Sequence, residues 1–458
     1  MIIKQFFDSD IAHSSYIIGG KNRCAVVDPR RDIGIYLREA KQNNLKISHI
    51  FLTHLHADFI SGHLDLKDRT KAEICGPAGA GFSFDHQPLK EGDTLDIEDL
   101  SFEIIETPGH SPEMVNYIVY DVSVNKKEPF GIFTGDTVFI GDVGRPDIFE
   151  ERFDELSGKL FSSLQKVLKL PDHCMVFPAH GPGSFCGKAI GGAKTGTIGY
   201  ERLNNVYLNI GDVEEFKLQI KKDMPPVPDH FKRLSEVNRD GPALMKDLTR
   251  LIPVDTGELK GLLKKEGMLV IDTRSYDSFS AQHIKNSYNI KLVGSFSSYA
   301  GWIVPPGAEI AIISETPSIA YHAYYVLRRM GFDRDIYYYQ NGMQEWARMG
   351  NEVSGFGLIH PERLQKLLQA KEDMQLLDVR NIHEYRKGKI DQSINIPLHD
   401  LRKRYQELDR DKKTVVHCSS GLRSSFACSI LMVCGFKDIY NLAGGYSGYT
   451  KYIEGKTA

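Results

Sequence analysis

Apolar residues in the first 190 or so positions fall in short bursts, separated by glycines and polar turns. "SSYIIGG" (14–20) and "RCAVVDP" (23–29) read as paired strands, and "ISHIFLTH" (47–54) as a buried strand. Between them, "DIGIYLREAKQNN" (32–44) reads as a helix. Phe153, Leu156, Leu160, Leu164, Val167 and Leu168 recur at helical spacing, which predicts a helix over 153–170 with one core-facing stripe. The proline-rich stretch "DMPPVPDHF" (223–231) cannot sit inside a helix or a central strand. It is expected to close the first domain.

The rest of the chain repeats itself. "LVIDTRSYDSF" at 269–279 matches "QLLDVRNIHEY" at 375–385, and "IKNSYNIKL" at 284–292 matches "IDQSINIPL" at 390–398. "YYVLRRMGF" at 324–332 pairs with "CSILMVCGF" at 428–436, so the offset stays close to 105 residues. Each copy reads strand, turn, helix, which predicts two small α/β domains. Two copies are too few for a solenoid. The expected boundaries are 1–250, 251–355 and 356–458.

Bulk properties narrow the function classes. A chain of 458 residues suits about three domains of ~150 residues. The net charge of −3 gives no reason to expect nucleic acid or an anionic membrane as partner. No apolar run nears the ~18–20 residues of a membrane span. The start "MIIKQFFDSDIAHSS" lacks the basic and apolar regions of a secretory signal. Seven cysteines, odd in number and scattered, do not form a disulfide framework. A reducing cytoplasmic compartment is expected, where an exposed cysteine is reactive rather than structural.

Candidate metal ligands recur where strands end. His54 and His56 follow "HIFLT", His110 follows "FEIIETPG", Asp136 follows "GIFTG" and His180 follows "CMVFPA". Polar groups at strand ends, beside glycines, suit a site built on loops over a rigid sheet. His63 reads as a solvated helix residue. The stretch from His54 to Phe59, "HLHADF", resembles the H-x-H-x-D-H motif of the metallo-β-lactamase superfamily, with Phe59 in place of the last histidine. "TGDTVFIGDVGRPD" (134–147) and "PAHGPGSFCGKAIGG" (178–192) are similar to persulfide dioxygenases of that superfamily, in forms seen in bacterial dioxygenase–rhodanese fusions.

The resemblance implies an αββα sandwich and one iron held by His54, His110 and Asp136. It puts His56, Asp58 and His180 at positions that hold a metal in two-zinc relatives. Phe59 removes an imidazole from the second metal position, so two zinc ions would be harder to hold. What stays complete is a two-histidine, one-carboxylate set with open faces, the ligand set of non-haem Fe(II) oxygenases. The alternative keeps zinc at one site and makes Phe59 a packing residue. Asp58 is then expected to orient a ligand imidazole, and His56 to meet a water or substrate or to serve as a ligand. The family places Arg145 near its thiol substrate; the plainer reading is an ion pair with Asp147 or Asp142. Cys186 is expected to face the same cleft.

"TVVHCSSGLRSS" (414–425) carries a second chemistry. A strand ends at Cys418, a tight loop follows and a helix begins near Ser424. Ser419, Ser420, Gly421 and Leu422 line the loop, whose backbone N–H groups form an anion-stabilising nest at a helix N-terminus. Such a nest favours a thiolate at Cys418, and Arg423 adds a positive charge. The C-x4-R loop is one residue shorter than the C-x5-R loop of cysteine phosphatases, which suits sulfur. With "LLDVRNIHEY" and "AGGY" (443–446), this repeat resembles the rhodanese family over 356–458; Lys389 departs from the usual histidine. In the earlier repeat Ser314 and Ile319 stand where Cys418 and Arg423 would, so that copy reads as a degenerate rhodanese-like domain.

The expected whole is a metallo-β-lactamase αββα sandwich followed by two α/β rhodanese-like domains, with one Fe(II) per chain. The resemblance implies oxidation of a low-molecular-weight persulfide by O2 to sulfite and thiol, coupled to sulfur transfer giving thiosulfate. A homo-oligomer is expected, with no nucleic-acid or membrane partner. The rivals are a zinc thioester hydrolase of the glyoxalase II type and a persulfide carrier or sensing protein.

Overall fold

The computed structural model describes residues 1–222 and 224–457, in two compact units. The first comprises residues 1–248 with 325–333; the second comprises 249–324 with 334–458, of which the last residue lies outside the described set.

The first unit is built on two six-stranded sheets. One runs in chain order through Ile2–Asp8, His13–Gly19, Arg23–Val27, Lys46–Phe51, Glu73–Pro77 and Gln87–Leu89. The other runs through Gly196–Thr197, Met175–Pro178, Gly131–Gly135, Val115–Asp121, Leu100–Glu106 and Thr94–Ile97. Alternate residues of both sheets meet in one core, with Tyr16, Val27 and Phe51 from the first against Phe102, Tyr117, Phe133 and Phe177 from the second. Each outer face is covered by helices. Tyr36 and Ala40 of Gly34–Gln42, with Leu66 of His63–Thr70, pack on the first sheet. Leu160, Leu164 and Val167 of Phe153–Val167 pack on the second. The predicted stripe over 153–170 thus does the covering, and the layers are helix, sheet, sheet, helix.

Two local expectations need correction. The proline-rich stretch separates two helices of one unit: Phe231–Asp240 follows it, and Phe231 packs with Ala57, Phe139 and Cys186. Asp223 itself lies outside the described residues. His63 is not solvated but buried against Phe84, with ring centroids 4.5 Å apart. That burial lowers its pKa to about 3, because a desolvated ring resists protonation.

The second unit holds two five-stranded parallel sheets of identical strand order. In the first they run Ile252–Val254, Ile336–Tyr339, Ile310–Ile313, Leu269–Asp272, Ser287–Asn289. In the second they run Gly357–Ile359, Ile439–Leu442, Lys413–His417, Met374–Asp378, Ser393–Asn395. The sequence repeat is therefore a repeat of a whole α/β layer. Cys428 is buried in the helix Leu422–Val433, and Cys434 is half-buried at its C-cap.

Candidate metal centre and sulfur-transfer loop

His54 leaves the end of the strand Lys46–Phe51, Asp136 follows Gly131–Gly135, and His110 sits on the loop after Leu100–Glu106. Strands fix the starting points, so the loops need little freedom to bring the three together. All three are buried, and their ligand atoms lie within 4.8 Å of one another. His110 Nε2 is 3.2 Å and His54 Nε2 3.8 Å from Asp136 Oδ2. His54 Nε2 and Asp136 Oδ2 have no hydrogen-bond partner. Buried polar atoms are normally paired, so these orphans aimed at one point fit a cation.

The opposite edge of each ligand is held. His110 Nδ1 donates to the Arg145 carbonyl oxygen at 2.9 Å, which leaves Nε2 its lone pair. His54 Nδ1 is 2.9 Å from the Thr53 hydroxyl, which itself donates to Asp28 Oδ2 at 2.8 Å. Asp136 Oδ1 accepts from His180 Nδ1 at 2.7 Å. Outer contacts of this kind orient ligand rings. Burial lowers the pKa of His54 and of His110, so both rings stay neutral, as coordination requires. Burial works against charge at His180 too, but Asp136 and Asp58 outweigh it and raise that ring's pKa well above the usual value. Two carboxylates there call for a positive charge. Close approach dictates one glycine: a Cβ on Gly144 would stand 1.9 Å from the Asp136 carbonyl oxygen.

Arg145 makes the ion pair with Asp147. Its side chain is fully buried. Nε and Nη2 hold the Asp147 carboxylate at 2.6 and 2.8 Å, and Nη1 and Nη2 donate to the carbonyls of Phe185 and Pro225. Its guanidinium is committed to the fold; only its carbonyl touches the centre, through His110. Cys186 is buried close to Asp58 and His180.

Sequence reasoning missed Asn238, which is buried on the helix after the prolines. Its Nδ2 donates to the carbonyls of His56 and Phe59 at 2.8 and 2.7 Å, and its Oδ1 accepts from Ser61 N. It clamps the ligand loop from 180 residues away, and a polar residue on an amphipathic helix gives no signal of that. His13, which pairs across the sheets with His180, was missed as well. A cavity of about 430 Å³ opens beside His110. Glu113, Glu236, Lys232 and Arg239 line it among apolar residues including Leu55, Val227 and Phe231.

In the second unit, Cys418 follows the strand Lys413–His417 and is buried. Gly421 N donates to its Sγ at 3.2 Å, and the Ser424 hydroxyl lies 3.5 Å from Sγ. Gly421 has φ +105°, a conformation side chains resist, and caps the helix Leu422–Val433. Its carbonyl accepts from Asn441 Nδ2 at 3.0 Å. Gly445 lets the next helix approach: a Cβ there would lie 2.5 Å from the Cys418 carbonyl oxygen. Arg423 is near the loop but engaged. Nη1 and Nη2 meet Glu384 Oε2 and Oε1 at 2.6 and 2.7 Å, and Nη2 reaches the Ser419 hydroxyl at 3.2 Å. The guanidinium contact is the first cause that lowers the pKa of Glu384 to about 2.

Ser314 of the earlier repeat donates to the Thr316 carbonyl oxygen at 2.9 Å. That repeat nevertheless packs against the Cys418 loop. Asn289 Oδ1 accepts from the Ser425 hydroxyl at 2.7 Å, and Tyr299 stacks on Phe426 with centroids 5.0 Å apart. The Tyr276 ring lies against Gly421.

Comparison with known proteins finds three matched segments. Residues 9–180 match the metallo-beta-lactamase superfamily, and residues 255–349 and 360–452 each match the rhodanese-like domain. A hydroxyacylglutathione hydrolase of Methylobacillus flagellatus is 33% identical over 160 residues, 34% of this chain and 56% of that protein. The chain thus spans little more than half the length of the curated relatives it matches. The crystal structure described as a metallo-beta-lactamase from Staphylococcus aureus is 28% identical, with a TM-score of 0.67 over 74% of this chain and 98% of that one. The structure of ETHE1 from Myxococcus xanthus is 26% identical, with a TM-score of 0.46 over 52% of this chain and 98% of that one.

Proposed function

We propose that this chain, a metallo-β-lactamase-fold domain followed by two rhodanese-like domains, oxidises a low-molecular-weight persulfide with O2 and passes sulfane sulfur through Cys418. The observation that carries the reading is the buried His54–His110–Asp136 set with its partnerless ligand atoms. Two imidazoles and one carboxylate fit a single Fe(II), and such a site supplies O2 activation beside a bound sulfur. Persulfide, dioxygen and water give thiol, sulfite and two protons. This chain's part is to orient the ligands through Thr53, Arg145 and His180, and to receive the thiol in the cavity beside His110. The charged lining, with Lys232 and Arg239 among the carboxylates of Glu113, Glu151, Asp229 and Glu236, suits a thiol bearing an amine as well as a carboxylate.

At the second site the Cys418 sulfur attacks the outer sulfur of a persulfide, the S–S bond breaks and the thiol leaves. Sulfite then takes that sulfur from Cys418 as thiosulfate. The loop N–H groups hold the anionic sulfur. Tethering helps, because the sulfite made at one site is the acceptor at the other and its effective concentration rises.

A second reading is favoured by the curated relatives, which are hydroxyacylglutathione hydrolases: zinc in the same ligands and hydrolysis of an acyl-thiol. One experiment separates the two. Protein purified without oxygen is assayed for metal content, and O2 uptake is followed across a panel of thiol persulfides with sulfite and thiosulfate measured. The dioxygenase reading requires iron, O2 consumption and sulfite. Zinc, no uptake and thioester hydrolysis would overturn it.

A further inference from the structure

Beside the His54–His110–Asp136 set stand three imidazoles that the proposed chemistry leaves unused as ligands. His13, His56 and His180 are buried, and each offers a ligand atom within 4.8 Å of the others. His13 opens the strand His13–Gly19 in one sheet, and His180 follows Met175–Pro178 in the other. An antiparallel bridge pairs these two residues. Backbone bonds flank it, from Ser14 N to Ala179 O at 2.7 Å and from Gly181 N to Ala12 O at 2.9 Å. Rigid backbone, not loop chance, brings the rings together.

Their nitrogens are arranged for a cation. His13 Nε2 lies 2.8 Å from the Asp28 carbonyl oxygen, which can only accept. Nε2 therefore carries the hydrogen, and the partnerless Nδ1 keeps a lone pair. His180 Nδ1 donates to Asp136, and its Nε2 faces Asp58 Oδ2 at 2.7 Å, an ion-pair contact that a metal at Nε2 would displace. Both ring nitrogens of His56 are without a partner, and Asp28 Oδ1 stands 3.3 Å from its Nε2. One ring N–H held by an oxygen with the other nitrogen open is the habit of metal-ligating histidine. Ring centroids are 5.3 Å apart for His13–His56 and for His13–His180, and 6.1 Å for His56–His180. Three imidazoles on one tetrahedral ion, at N distances of about 2.1 Å, would stand roughly 5 Å apart.

We propose that His13, His56 and His180 bind a second divalent transition-metal ion, of the zinc(II) or cobalt(II) class that accepts an all-imidazole set, in addition to the ion expected at the first set. This is not the second position of the two-metal motif. That position needs an imidazole at residue 59, and the Phe59 ring stands there instead, 4.2 Å from His13 and 4.6 Å from His56. The missing imidazole is supplied by a different strand. The Asp58–His180–Cys186 grouping shares His180, so it competes for the same ion rather than adding another.

The full-length protein, stripped with a chelator, is titrated with Co(II) without oxygen while bound metal and visible d–d absorption are recorded. Wild type is expected to take up two equivalents. His13→Asn should take up one, with the absorption of the remaining equivalent unchanged, and His54→Ala should keep the equivalent that His13→Asn loses. Saturation of wild type at one equivalent overturns the proposal without any variant, as do two equivalents in folded His13→Asn. A second equivalent that is lost in Cys186→Ser yet kept in His13→Asn overturns it in favour of the Asp58 grouping. The readout is metal count and spectrum, so it does not depend on whether the first site oxidises persulfide.

Discussion

His110 shows how much one side chain carries at this centre. It offers one of three candidate ligand atoms, and its other nitrogen is tied to the Arg145 carbonyl. His110→Ala is expected to lose the metal and O2 uptake while sulfur transfer at Cys418 persists; metal analysis and parallel assays check this, and full uptake by metal-free protein would refute the iron reading. Arg145 matters differently. Its guanidinium is bonded to Asp147 with no exposure, so Asp147→Ala leaves a buried charge unpaired. A loss of about 3 kcal/mol is expected, read as a lower urea midpoint, together with weaker metal retention because the carbonyl that orients His110 shifts. A midpoint equal to wild type would show that the pair does not hold the loop. Ligand types and spacing were legible in the chain because they lie at strand ends. Arg145's ion-pair partner was not, since Asp147 and Asp142 stood equally open in the sequence.

Elements place these residues through a few close approaches. The helix Gly445–Thr457 begins against the Cys418 loop, with Tyr446 N donating to the Cys418 carbonyl at 2.7 Å. Gly445 has φ +59°, and its missing Cβ makes room for that carbonyl. Gly445→Ala should destabilise by about 1–3 kcal/mol and lower sulfur transfer, leaving O2 uptake intact; denaturant melts and the two assays test it. The earlier repeat acts at this scale too. Asn289→Ala removes the acceptor of the buried Ser425 hydroxyl, at an expected cost of about 1–3 kcal/mol. It should slow sulfur transfer although Cys418 is untouched. Unchanged transfer and stability would mean that the degenerate repeat does not support the loop. Periodicity announced both the repeat and the core helix at 153–170, yet no local pattern marks Asn289 or Asn238, whose partners are remote in sequence.

Across the whole molecule, the two proposed chemistries make a prediction about products. Cys418→Ser places a hydroxyl where sulfur must be carried, and serine stays protonated near neutral pH. O2 uptake should continue, sulfite should accumulate and early thiosulfate should fall; Ser314→Ala should change neither. Sulfite and persulfide also combine without enzyme, so initial rates at low persulfide decide. Thiosulfate at the wild-type initial rate would refute the transfer role and favour a carrier or docking function. The two repeated α/β layers were legible in the sequence alone, because an echo at about 105 residues is a local signal, whereas the sandwich was implied by the resemblance of its motifs. His54, His110, Asp136 and Cys418 were legible as candidates, each announced by the strand before it. Only the tertiary structure decided which side chains those residues meet. It sent the Arg145 guanidinium into an ion pair, tied Arg423 to Glu384, and set His13 beside His56 and His180. Each of these pairings joins segments that only packing brings together, and the free energy that selects them comes from burying polar groups with partners rather than from any pattern along the chain.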